Sequence, residues 1–113
     1  MLQDAHSRKI SESIDAPAGD TIIIPRVANE WHYIHEIIGD LSAAGTLEVL
    51  AIDSDSTEHS LATFNLADGQ GLTLQDEPGE DNRPRFEFNP DQDAVLRASG
   101  GDFIGGLHWS KRF

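Results

Sequence analysis

Cysteine is missing from all 113 residues. That excludes disulfides, thiolate metal sites and thiol nucleophiles. Lysine is nearly missing too, with only Lys9 and Lys111 in the chain. Basic residues total 8 against 20 acidic ones, for a net charge of −12. A surface that binds nucleic acid or anionic lipid releases counterions through clustered lysine and arginine, and this chain lacks the supply. No apolar run approaches the ~20 residues that span a bilayer. Met1 to Ile10 reads MLQDAHSRKI, without an apolar signal core, so no secretion signal is expected. Stretches with helical periodicity are absent outside residues 29–39, which argues against parallel α/β layering.

What is present fits one domain. Residues 1–19 are polar and weakly periodic, and Ala16-Pro17-Ala18-Gly19-Asp20 punctuates like a turn. We therefore set 1–19 apart as an N-terminal arm or loosely attached strand, and 20–113 as the body. Thr21 to Ile24 is β-branched throughout and stopped by Pro25. Thr46 to Ile52, Ser60 to Leu66, the short run at Leu72 and Leu74, Arg85 to Phe88, Ala94 to Ala98, and Phe103 to Trp109 follow, each bounded by Gly, Asp, Asn or Pro. Phe86 and Phe88 share one face, as do Ala62, Phe64 and Leu66, and as do Phe103, Leu107 and Trp109. Residues 75–84 are charged and rich in breakers, hence a loop.

Residues 29–39 admit two readings. A helix could be capped by Asn29 and ended by Gly39. The segment is short and rich in aromatic and β-branched residues, so we favour a strand. On that strand Trp31, Tyr33, His35 and Ile37 point one way and His32, Ile34, Glu36 and Ile38 the other. The total is about eight short strands, an all-β, antiparallel, jelly-roll-like sandwich with an N-terminal arm.

Candidate chemistry is sparse. On a strand, His32 and His35 lie on opposite faces and cannot share a metal, and they lack the His-x-His pair of cupins. Asp53, Asp55 and Glu58 form an oxygen-rich run that suits a loose calcium loop or a solvated turn, but the EF-hand spacing is absent. Asp76, Glu77, Glu80 and Asp81 crowd a breaker-rich loop, the wrong support for paired catalytic carboxylates. Ser60 and Ser110 have aromatic or imidazole neighbours in sequence, which is not a triad. No Gly-x-Ser-x-Gly or phosphate loop occurs. Gly100-Gly101 and Gly105-Gly106 suit close backbone approach or a bulge. We expect no catalytic residue, no metal and no cofactor. Trp31, Tyr33 and Trp109 suit either a sugar-stacking platform or a core or subunit contact.

The order of features from Trp31 to Trp109 resembles small β-sandwich virion proteins of tailed phages, of the head decoration, cement or head-fibre type. Tyr33 to Ile38, the stretch Asp40-Leu41-Ser42-Ala43-Ala44-Gly45-Thr46-Leu47-Glu48-Val49, Phe64 to Gly71, Phe86 to Pro90, and Ser99 to Trp109 carry the resemblance. It implies a structural protein on the outer capsid surface, made in the host cytoplasm. Such a protein forms homotrimers and binds the major capsid protein, bridging neighbouring subunits. Arg8, Lys9 and Ile10 of the arm, with Trp31, Tyr33, Trp109, Lys111 and Arg112, are the expected partner contacts. Neither nucleic acid nor membrane is an expected partner. A carbohydrate-binding sandwich module and a connector ring protein are the alternatives, and an enzyme is not expected.

Overall fold

A computed structural model describes residues 9–76 and 84–113. Among them are nine strands: β1 (Lys9–Ala16), β2 (Gly19–Ile24), β3 (Trp31–Leu41), β4 (Gly45–Asp53), β5 (Glu58–Leu66), β6 (Gly71–Leu74), β7 (Phe86–Phe88), β8 (Gln92–Ser99) and β9 (Phe103–Arg112). Every pairing is antiparallel. One sheet runs β1-β9-β3-β6, with β7 also paired to β3; the other runs β2-β8-β4-β5. With β7 set aside, the pairs nest as first with last, β1·β9, then β2·β8, β3·β6 and β4·β5. That nesting is a jelly roll, so the expected fold class holds.

The reasons are local. Pro25 ends β2 because it cannot donate to a ladder. The loop Ala67 to Gln70 turns through Gly69 at φ 78°, and Asn29 sits at φ 67° in the turn that enters β3. Between the sheets, Ile14, Ile34, Ile37, Leu41, Leu47, Val49, Leu66, Leu74, Phe86, Phe88, Leu96, Phe103 and Leu107 form one core. Phe86 and Phe88 are buried, and so are Phe103, Leu107 and Trp109; of Ala62, Phe64 and Leu66, Leu66 is buried and the other two pack partly against the core.

Two expectations need correcting. First, of the arm or loosely attached strand set at residues 1–19, the described part is a strand and not a free arm. Residues 9–16 are β1, paired along their whole length with Ser110 to Phe103 of β9, and Ile14 and Ala16 are in the core. The polar surface pattern hid this strand because edge strands carry serine and aspartate on their outer face. Second, the segment at 29–39 is a strand as favoured, but its alternation breaks. The register on β9 shifts between Ile34 and Glu36, leaving His35 as an extra bulged residue. Before the bulge His32 and Ile34 point inward; after it, Ile37 and Leu41 do. An inserted residue flips the faces of everything beyond it.

Candidate functional site: the outer face of the five-stranded sheet

The outer face at the N-terminal end of β3 gathers several of the candidate contact side chains. Trp31 and Tyr33 alternate with buried His32 and Ile34 and so project outward. Glu87 of β7 is the cross-strand partner of Tyr33, and Arg112 of β9 is that of Trp31. These four side chains, with Asn29, Pro90 and Phe113 at the rim, line an open cleft of about 610 Å³. Trp31 is 44% exposed.

The expected contact residues therefore divide. Trp31, Tyr33 and Arg112 come together at the cleft. Trp109 does not join them: it is 9% exposed and meets buried His32 edge-to-face, ring centroids 5.2 Å apart. The cause is parity, since Trp109 shares the inward face of β9 with Leu107. Ile10 is partly buried against the core opposite Trp109. Lys9 pairs through its backbone with Ser110. Lys111 points away from the cleft, with Nζ 4.0 Å from Glu30 and 5.9 Å from the Phe113 ring. Arg8 lies outside the described residues, as do Glu77, Glu80 and Asp81.

Next to the cleft, the bulge builds a constellation that sequence reasoning missed. The Asp76 carboxylate lies 2.9 Å from His35 Nδ1, and His35 Nε2 lies 2.7 Å from Ser110 Oγ. A carboxylate only accepts, so Nδ1 carries a proton toward Asp76, and Nε2 shares a hydrogen bond with the serine hydroxyl. Carboxylate, imidazole and hydroxyl in a line are also the parts of a serine hydrolase triad. Here Ser110 is 1% exposed, mid-strand between Lys9 and Tyr33, so its hydroxyl is closed to a substrate. As built, the line ties β9, the bulge of β3 and the chain after β6 together. No spacing signal could have revealed it, because the three residues meet only through the β3·β9 register.

The other histidine of the pair is on the inward face. His32 Nε2 is 3.1 Å from Glu30 Oε1, so it donates there. Its Nδ1 and the Nε1 of Trp109 are buried without a partner. The expectation that His32 and His35 cannot share a metal agrees with this placement. The calcium alternative for Asp53, Asp55 and Glu58 does not assemble. Asp53 accepts from His59 and Gln92, Asp55 accepts from the Thr57 amide, and Glu58 turns to Arg97. Hydrogen bonds from His59 to Asp53 and from Thr57 to Asp55 hold both carboxyls below their ordinary value. Among the described residues, no group of three His, Cys, Asp or Glu could hold a metal ion.

On the opposite sheet, Arg97 of β8 spans from one edge strand to the other. Its guanidinium meets Asp20 of β2 at 2.6 and 3.0 Å and Glu58 of β5 at 3.1 and 2.9 Å, with Glu48 of β4 at 3.6 Å. The hydrogen bonds from Arg97 lower the Asp20 pKa.

No protein family matches the sequence, and no curated protein matches it. Among solved structures, the chain is similar to a protein of the Bacillus endospore appendages, described as a novel family of disulfide-linked pili. The two are 12% identical, with a TM-score of 0.55, over 96% of this chain and 88% of that one. PirA also overlaps, with 13% identity over 95% of this chain and 94% of that one, but at a TM-score of 0.38 it carries no argument. At 12% identity the likeness to the appendage protein concerns the fold alone, across nearly the whole chain.

Proposed function

We propose that the chain is a structural subunit that works by packing into a larger protein assembly, and that it is not an enzyme. The finer form of this reading is a decoration protein on the outer surface of a tailed-phage head, trimeric, holding major capsid subunits together. The observation that carries the proposal is the β5 edge. It is nine residues long and mostly exposed, with Leu61 bulged out of register and 40% exposed. Among the described residues it pairs on one side only, with β4. Such an edge is a template for another chain. The fold shared with a pilus subunit supports the same reading. These 113 residues contain no cysteine, so an assembly of them is not disulfide-linked as those pili are.

Light scattering on a sizing column tests the proposal. We expect a mass of three times 12.4 kDa, and loss of that mass in Leu61→Lys with an unchanged melting temperature. A wild-type chain that stays monomeric at every concentration, with Leu61→Lys indistinguishable, refutes assembly through this edge. A larger ring points to a connector. Co-sedimentation with tailed-phage heads tests the finer form: a chain that remains in the supernatant leaves the subunit reading and removes the head.

A further inference from the structure

Beyond the assembly role, we propose that the cleft at the start of β3 binds a neutral sugar ring. The proposal rests on which groups the sheet places side by side. Trp31 and Tyr33 are two residues apart on one face, so they form an aromatic strip roughly 7 Å long at the strand rise. Glu87 stands beside Tyr33 and Arg112 beside Trp31 through cross-strand pairing. The strip is thus flanked by an acceptor on one side and a donor on the other. Among the described residues neither Glu87 nor Arg112 has an ion-pair partner, in contrast to Arg97 and Arg26.

The chemistry narrows the ligand. A cation would be attracted by Glu87 but repelled by Arg112, and an anion the reverse. A polyanion would also meet a net charge of −12. What suits both is a neutral ring with one apolar face and several hydroxyls. Its C–H face lies on the Trp31 indole, Glu87 accepts from one pair of hydroxyls, and Arg112 donates to their neighbours. The cleft is open, so it fits a terminal or internal residue of a glycan rather than an engulfed small molecule. Burying a 44% exposed tryptophan gives the site its apolar contact.

Intrinsic fluorescence of the full chain reads this directly, because Trp109 is already buried and Trp31 is not. Maltose, cellobiose, lactose and chitobiose are the solution probes, followed by a neutral glycan array. We expect at least one to shift and saturate the emission at millimolar concentration. Trp31→Ala should abolish binding, and Glu87→Gln, which keeps shape and removes charge, should weaken it about tenfold. Both positions are on the exposed face, and melting curves verify the fold. No binding by any neutral glycan overturns the proposal. So does binding unaffected by Glu87→Gln and Trp31→Ala, or a preference for sulfated or sialylated glycans. A Trp31→Ala chain whose oligomer mass falls while glycan binding persists overturns it in favour of a subunit contact. Glycan binding by a monomer leaves this proposal standing and refutes only the assembly reading.

Discussion

Gly105 and Gly106 are adjacent on β9, and alanine at the two should move stability in opposite directions. A methyl group on Gly105 would land on the Ile38 carbonyl and 2.6 Å from Gly39 Cα. Gly39 is its cross-strand partner, so β3 and β9 approach closely there because both residues lack a Cβ. Relieving the overlap requires the two central strands to separate by about 1 Å, with several ladder hydrogen bonds strained at once. Overpacking of this kind costs about 3 kcal/mol or more. On Gly106 the same methyl lies 3.8 Å from the Glu12 carbonyl and 3.9 Å from Ile38 Cγ2, ordinary contact distances. There the smaller entropy of the unfolded alanine chain should stabilise by about 0.5–1 kcal/mol. For a domain of this size 1 kcal/mol moves the melting temperature by about 4 °C. Gly106→Ala should therefore melt about 2–4 °C higher and Gly105→Ala about 10 °C or more lower. Calorimetry and urea titration both read the difference. Equal melting temperatures for the two variants would refute the close approach as the reason for the glycine.

The Arg97 span and the acidic side chains give the remaining predictions. Arg97→Met leaves Asp20, Glu48 and Glu58 facing one another without their cation. With partners this exposed, the loss should be about 1–2 kcal/mol in urea titration at low salt, shrinking in high salt as the carboxylates are screened. Stability should fall in acid. Asp20, Asp53 and Asp55 each have a folded pKa below 3.8. Their contribution is complete above that value and is lost as pH drops through the lower folded values. A melting temperature that begins to fall well above pH 5 would contradict this assignment, and Arg97→Met should show a shallower acid limb than the parent.

The sandwich was legible because its strands carry their own punctuation. Pro25, Asp53, Gly69, Pro90 and Gly100 mark ends that the chain obeys, and Phe86 and Phe88 alternate across a single buried face. β1 was not legible as part of the body. Its KISESIDA sequence shows only Ile10, Ile14 and Ala16 to the interior, too few for a periodic signal at an edge. The bulge at His35 was invisible for a different reason. Nothing in Ile34-His35-Glu36 announces an extra residue; the register follows from satisfying Ile34 and Ile37 in the same core. Half the candidate site depended on that register. Trp31 and Tyr33 could be paired from strand spacing alone, but Glu87 and Arg112 reach them only through cross-strand neighbours. The Asp76, His35 and Ser110 line depended on it wholly. For Trp109, alternation with Leu107 favours the core over the partner contact, and the core is where it lies.

The nesting of first strand with last also sets the order of events during synthesis. Lys9 faces Ser110, and β9 stands between β1 and β3. Until β9 leaves the ribosome, β1 has no partner, and β3 is paired only on its other side, with β6 and β7. The β4·β5 hairpin can form as the chain emerges, but the five-stranded sheet waits for β9 and then closes largely through non-local contacts, a slow route for a small domain. A nascent chain stalled before Phe103 would expose β1 unpaired and one open side of β3 at once, and its safety in the cell would depend on how quickly β9 follows.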